Sequence, residues 1–461
     1  MKKLFVTALL AGSMILWKNG VHAQERICGN ELLVQETMQD PDAKARLEAY
    51  FEQYDAENKA MADQSARAAS KGTGTEYGKA VIPVVFHIVA TQAQIDQLGG
   101  TAGVVERVNS QLVAVNADFN GNNLDITNVP PAFKSLVGKA NIEFVLAKRD
   151  PLGKAKWGIV YEIKDPGFAG FAAHDYSVKR KVQGGSDPWD NTKYLNIWVT
   201  LIKASGSGQG QVLGYAFNNV YAQQQYGDPA LGGVVLHYLA LGKRTNIMQA
   251  FYSQNADQGR TLTHELGHYF NLWHIWGKST PSGQKSCTDD DGIQDTPEQE
   301  ESNTQCPSGF QANCANAPNP GGEMYMNYMD YSGDECIIMF TQGQVDRMRT
   351  ETAPGGQVYS LTQHPELTLW PTDVSAVEYN NKVEIGPNPS SGRFNVYFYD
   401  KYDHLDRIIV SNSFGQVVKQ LEVTDQEQLN YNFDISNVAA GMYIVQLHFE
   451  NGIIARKVVV Q

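Results

Sequence analysis

Cysteine is scarce in this chain, long apolar runs are nearly absent, and basic residues are outnumbered. Five cysteines in 461 residues are too few for a cysteine-rich scaffold held together mainly by disulfides. After the first two dozen residues no stretch approaches the ~20 apolar residues that span a bilayer, so no membrane span is expected in the mature form. The 37 Lys and Arg stand against 50 Asp and Glu, a net charge of −13. That balance disfavours a phosphate backbone as partner, and no nucleic-acid role is expected. Apolar residues at 42% and charged residues at 19% give an ordinary globular balance rather than a disordered or fibrous one. The length suits two or three domains of ~150 residues.

The N-terminus has the form of an export signal. Lys2 and Lys3 precede an apolar run from Leu4 to Trp17, and Val21-His22-Ala23 offers a cleavage point after Ala23. Residues 1–23 are therefore expected to be removed, and export permits disulfides. Residues 24–78 differ in texture from the remainder of the chain. Pro41 to Ser70 is rich in Ala, Glu, Lys and Gln and predicts one or two amphipathic helices, ending in the flexible, cleavable joint Ser70-Lys71-Gly72-Thr73-Gly74-Thr75. So short a segment has little core of its own, which points to a pro-segment leaning on the next domain.

Strand and helix patterns alternate from Val81 onward, and a domain over 79–373 is expected. Val81 to Val89, Ile142 to Ala147, Tyr194 to Ile202 and Gln211 to Phe217 predict strands, and Val104 to Asp118 a helix. His87, in an apolar strand, is expected to be structural. The glycine-rich Ser205 to Gly210 lacks the Lys-Ser/Thr of a phosphate loop and is expected to be a surface loop. From about Val374 short alternating runs separated by turn residues predict a small β-sandwich over 374–461.

The strongest local signal is Thr263-His264-Glu265-Leu266-Gly267-His268-Tyr269-Phe270-Asn271-Leu272-Trp273-His274. Residues four apart share a helix face, so His264 and His268 aim two imidazoles at one ion. Glu265 then lies within reach of a water on that ion. Three protein ligands with an open fourth position characterise catalytic zinc. His274 is too far along to share the face, so the chain must turn sharply before it. Such a turn needs a positive φ, which Gly adopts freely and Asn next best; Asn271 stands there.

At these residues the sequence resembles the metzincin metallopeptidases, and within them the pappalysin family. The resemblance extends to Pro83-Val84-Val85-Phe86-His87-Ile88-Val89, Asn116-Ala117-Asp118-Phe119-Asn120, Tyr194-Leu195-Asn196-Ile197-Trp198-Val199, Leu213-Gly214-Tyr215-Ala216 and Asp289-Asp290-Asp291-Gly292-Ile293-Gln294-Asp295-Thr296-Pro297, covering roughly Val81 to Thr350. The family has Gly where this chain has Asn271. The resemblance implies an α+β fold with a mixed sheet and an active-site helix. It implies zinc on His264, His268 and His274, with Glu265 as general base and then acid. In Met326-Asn327-Tyr328-Met329-Asp330-Tyr331, Met329 matches the methionine of the turn beneath the zinc, and Tyr331 the tyrosine supporting the tetrahedral intermediate through its hydroxyl. Asp334 is implied to line the pocket for the residue after the scissile bond, which would favour cleavage before Arg or Lys.

Asp289, Asp290, Asp291 and Asp295 crowd one short loop, which suits either a hard cation such as calcium or a solvated turn. The family places calcium in the corresponding loop, with Asp291 and the Thr296 carbonyl as first choices. Cys287, Cys306, Cys314 and Cys336 allow three pairings, or a structural zinc site; the family pattern implies Cys287–Cys314 and Cys306–Cys336. Cys28 is left over in the pro-segment. A thiolate is an excellent zinc ligand and could fill the open position, resembling the cysteine-switch latency of metzincin zymogens.

Gly386-Pro387-Asn388-Pro389-Ser390-Ser391-Gly392-Arg393-Phe394, Phe414-Gly415-Gln416, Gly441-Met442-Tyr443 and Arg456-Lys457-Val458 resemble the C-terminal sorting domain of type IX secretion. That implies contact with the secretion machinery and passage across the outer membrane, to a secreted or cell-surface location. The expected protein is a latent zinc endopeptidase acting on proteins or peptides, with substrate extended along an edge strand such as Gln211 to Phe217. A non-catalytic surface adhesin with an inert metal-bearing domain is the alternative.

Overall fold

The computed structural model describes residues 26–69, 77–154, 156–173, 176–203, 211–245, 251–253, 255–278, 286–312, 314–315, 319–369, 383–399, 405–424, 428–449 and 452–461. The expected export signal, the joint at 70–75, the glycine-rich loop at 205–210 and the boundary near Val374 lie outside these residues.

Seven strands form one mixed sheet: β1 (Arg26–Cys28), β2 (Ala80–Thr91), β3 (Ile142–Leu146), β4 (Ile159–Lys164), β5 (Leu195–Thr200), β6 (Gln211–Phe217) and β7 (Gly233–His237). Their order is β1-β6-β7-β5-β2-β3, with β4 beside the second half of β2. β2 runs parallel to β3, β4 and β5, and β5 runs parallel to β7. Parallel strands are covered on both faces, so they read as continuous apolar runs; Ile82 to Ala90 of β2 is buried throughout. His87, inside that run, lies between Ser186 and Asn196, each 2.9 Å from a ring nitrogen, and is structural as expected.

β6 reverses direction, antiparallel to β7. Its outer side is not open, as the sequence suggested, because β1 lies along it in parallel. The chain then forms α1 (Gly29–Thr37) and the single long helix α2 (Pro41–Ala69). Leu47, Tyr50, Phe51 and Tyr54 recur at helical spacing along α2 and are buried. Phe51 and Tyr54 meet the Trp273 ring edge to face, with centroids 4.9 and 6.3 Å away. So little apolar surface on so long a helix needs another body to cover it, and here the body is the sheet domain.

The other helices are α3 (Gln92–Gln97), α4 (Gly100–Phe119), α5 (Asn219–Tyr226), α6 (Arg260–Tyr269) and α7 (Gln342–Glu351). Among the described residues no helix is long and apolar enough to cross a membrane. Asp295 receives the hydroxyl of Thr341, the N-cap of α7, at 2.7 Å and the amide of Gly343 at 2.8 Å. Asp295 therefore serves a helix N-terminus, which favours a carboxylate, and does not join the other acids of its loop as the sequence suggested.

The C-terminal region is all antiparallel: β8 (Val383–Gly386), β9 (Arg393–Phe398), β10 (Leu405–Asn412), β11 (Val417–Glu422), β12 (Asn430–Asp434), β13 (Gly441–Phe449) and β14 (Gly452–Val460). Sheets β11-β10-β13-β14 and β12-β9-β8 enclose a core that includes Phe394, Val396, Val410, Val445 and Leu447. This is the small β-sandwich the alternation predicts.

Candidate metal centre

α6 presents His264 and His268 from one face and ends directly after Tyr269. Leu272 N–H donates back to Gly267 O at 2.9 Å, and Asn271 adopts φ 67°. This left-handed residue reverses the chain and returns His274 to the helix. The Nε2 of His274 lies 3.1 Å from that of His268 and 3.3 Å from that of His264. Zinc–nitrogen bonds of ~2.0–2.1 Å in a tetrahedron put ligand nitrogens about 3.3 Å apart, so the spacing fits zinc.

Hydrogen placement gives the same answer. His264 Nδ1 lies 2.7 Å from Tyr328 O, and His268 Nδ1 lies 2.8 Å from Leu272 O. Carbonyl oxygens only accept, so each Nδ1 carries the hydrogen and each Nε2 keeps a lone pair. His274 Nδ1 faces the Glu31 carboxylate at 3.4 Å. Burial lowers His268 to about 4, which holds its ring neutral. Converging lone pairs in a buried place require a cation between them.

Cys28 supplies a fourth donor, all four donor atoms lying within 4.8 Å of one another. Its thiol is buried and free. Burial pushes it up, and the nearby Glu265 carboxylate adds to that; Sγ lies 3.4 Å from Glu265 Oε2. Cys28 pairs with Gly214 of β6. Asn30 then continues the pairing with its side chain, Nδ2 donating to Ala216 O at 2.7 Å and Oδ1 accepting from Ala216 N at 2.8 Å. A Cβ on Gly214 would sit 2.6 Å from Glu265 Cγ, so only glycine lets the carboxylate lie beneath the strand.

Met329 lies under the helix, its Sδ against the Cα of Gly267. Tyr331 is buried beside His274, with ring centroids 5.0 Å apart, and its hydroxyl accepts from Cys28 N–H at 3.2 Å. Asp334 is buried rather than solvated. Its Oδ2 accepts from the amides of Gln258 and Arg260, at 3.0 and 3.1 Å, at the N-terminus of α6. Asp291 is buried, its Oδ1 taking the Ile293 amide and the Thr296 hydroxyl at 3.0 and 2.8 Å. Lys278 lies 3.9 Å from the Asp289 carboxylate and donates to the Asp290 backbone carbonyl at 3.0 Å, while the Asp290 carboxylate accepts from Gly292 N–H at 2.6 Å. The four clustered cysteines join as Cys287–Cys314 and Cys306–Cys336.

Three supports of the site lie outside the zinc motif. Glu31 sits on the third histidine. Tyr50 donates to Asn271 Oδ1 at 2.7 Å while Asn271 Nδ2 donates to Glu351 at 3.0 Å. Asp118 accepts from Thr263 and Tyr328 hydroxyls, each at 2.7 Å; burial raises it to about 6 although Arg260 opposes that. Asp118, the next-to-last residue of α4, is a buried carboxylate beside the apolar face of Val108, Leu112 and Val115, and that is its one mark in the sequence.

Residues 179–353 match the peptidase family M43 profile, described as pregnancy-associated plasma protein-A. Residues 384–461 match a secretion system C-terminal sorting domain. An extracellular metalloprotease of Arthroderma benhamiae is 35% identical over 146 residues, 30% of this chain. The chain spans about half of that relative's length, 47%. Mature mirolysin of Tannerella forsythia, solved with a cleaved peptide, is 35% identical with a TM-score of 0.52, over 64% of this chain and 99% of that one. A promirolysin mutant of Tannerella forsythia is 32% identical with a TM-score of 0.58, over 73% and 97%.

Gly267→Ala would drive a methyl into Met329 Sδ. It is expected to lower stability by ~1–3 kcal/mol, as overpacking does, and to loosen the metal. Urea unfolding and zinc content measured on the same preparation check both; unchanged values would show that the methionine yields freely.

Proposed function

The chain belongs to the pappalysin family of metallopeptidases, and from that premise we propose that it is a secreted zinc endopeptidase made in a latent form. The single observation that carries this reading is the convergence of three buried Nε2 lone pairs beside Glu265. His264, His268 and His274 would hold the zinc, which when bound polarises the scissile carbonyl and makes a water acidic. Glu265 takes the proton from the attacking water on a carboxylate oxygen and returns it to the leaving amine. Tyr331, once its hydroxyl is released from Cys28 N–H, donates to the developing oxyanion. Residues 24–78 form the pro-segment, and Cys28 occupies the position that water needs. Residues 1–23 direct export, 79–373 form the catalytic domain and 374–461 the sorting domain, so the product is exported by type IX secretion to the medium or the cell surface.

One assay on several proteins tests this. The chain processed by limited trypsin treatment is expected to cleave peptides and to stop when a chelator removes zinc. Glu265→Ala is expected to lose ~10²–10⁴-fold in kcat/KM. Unprocessed Cys28→Ala is expected to gain activity over unprocessed wild type, though not to the processed level, because β1 still covers β6. Absent or chelator-insensitive cleavage would favour the adhesin alternative; a silent Cys28→Ala would count against the thiol as the latency device.

Cleavage before Arg or Lys rests on Asp334, whose carboxylate stands at the N-terminal end of the active-site helix. Asp334→Asn keeps an acceptor for the helix amides but removes the charge. It is expected to reduce the preference for Arg over a neutral residue after the scissile bond by ~10-fold or more, measured as the ratio of kcat/KM for paired peptides. An unchanged ratio would assign the specificity elsewhere.

Calcium in the acid loop is supported by Asp291 Oδ2, which is buried without a hydrogen-bond partner among the described residues. The Thr296 carbonyl is its proposed companion. Added calcium is expected to raise Tm for the wild type and not for Asp291→Asn; equal shifts, or none, would remove calcium from this loop.

A further inference from the structure

Beside the metal centre a recess, of which about 30 Å³ is left open, lies between the N-terminal segment and the catalytic domain. On the domain side its apolar walls are Phe217, Tyr221, Leu272 and Trp273. On the other side α1 presses Leu33 and Val34 into it, leaving them 4% and 6% exposed. Apart from the metal ligand His268, no Asp, Glu, Lys, Arg or His among the described residues lines this space. A charged side chain would be desolvated there without a partner, whereas an aliphatic one would gain from burial.

We propose that this recess is a specificity subsite that takes an aliphatic side chain two to four residues before the scissile bond of the substrate, and that Leu33 and Val34 occupy it in the latent chain. The inference rests on the peptidase reading above. Register sets the position. Cys28, at the metal, pairs with Gly214, and the recess begins with Ala216, Phe217 and Asn218 of the same strand and its end. At ~3.3 Å per residue a peptide paired with β6 reaches that wall two to four residues from the metal-facing position. Sidedness comes from α6. Asp334 stands at its N-terminus, whereas His268, Leu272 and Trp273 gather at its C-terminal end. If Asp334 reads the residue after the bond, this recess reads residues before it. The N-terminal segment thus covers the strand edge, the metal corner and the recess together, the three places an extended substrate would need.

The test uses peptides that share Arg after the scissile bond and vary one position at a time, from four residues before it to three after it, among Leu, Gly, Asp and Lys. With the trypsin-activated chain, kcat/KM for Leu is expected to exceed that for Asp or Lys by ~10-fold or more at one position two to four residues before the bond. Tyr221→Lys, which places a cation in the recess, is expected to shift that position towards Asp. Should that variant not fold, the wild-type series decides alone. Indifference at all three positions, or a Leu preference found only after the bond, overturns the subsite while leaving the peptidase reading intact. No cleavage of any peptide overturns the peptidase reading and this inference with it.

Discussion

Three imidazole lone pairs aimed at one buried point are unfavourable unless a cation lies between them, and much of the domain is arranged to hold them there. Two of the three rings have their Nδ1 hydrogens on backbone carbonyls, so neither can rotate to relieve the repulsion without leaving a buried donor unpaired. Those carbonyls belong to the methionine turn and to the chain reversal after α6. The parts of the chain that carry no ligand therefore set the orientation of those that do. Asp118 adds a second level by tying Thr263, one residue before the first ligand, to Tyr328, whose carbonyl orients it. Losing any of these supports would tilt a ring rather than delete it, and ring tilt is what a tetrahedral site tolerates least.

The N-terminal segment acts on the same centre by occupying what the catalytic reading requires. Its thiol is the fourth donor, its backbone covers the outer side of β6, and the amide of Cys28 engages the Tyr331 hydroxyl. Because all these contacts belong to one tethered segment they form at high effective concentration, and α2 adds a large apolar contact across Trp273. Cutting the chain between α2 and β2 leaves the contacts in place but removes the tether, so dissociation becomes possible where it previously was not.

Much of this was legible in the sequence, for identifiable reasons. The seven short strands of the tail and the buried run of β2 carry strong alternation or strong apolar continuity, and they fall where those signals put them. The zinc motif was readable because helix periodicity fixes two ligands and the chemistry of turns fixes the third. β4 and β7 were not read: Ile159–Lys164 mixes polar and apolar residues at a sheet margin, and Gly233–His237 is a five-residue run with a glycine at its head. The pairing of β1 with β6 joins residues almost two hundred positions apart, beyond any local pattern. Asp295 is near the other loop acids in sequence, yet the helix it serves begins nearly fifty residues later.

Asn271 shows how such a distant contact can change the meaning of a local residue. At φ 67° an L residue is strained by ~1 kcal/mol relative to glycine, so substitution of the family's glycine is unfavourable in isolation. The asparagine side chain, however, accepts from Tyr50 and donates to Glu351, and two buried hydrogen bonds of ~1 kcal/mol each offset that strain. Glu351 is in turn paired with Arg347 at 3.1 Å, and Arg347 with Glu57 at 2.8 Å, so the bonds from Tyr50 and Glu57 both come from α2. The reversal that delivers the third ligand is thus fastened twice, once to α7 and once to the N-terminal segment. Removing that segment takes away the Tyr50 and Glu57 contacts and leaves Glu351, which joins the metal-binding turn to the end of α7 within the catalytic domain itself.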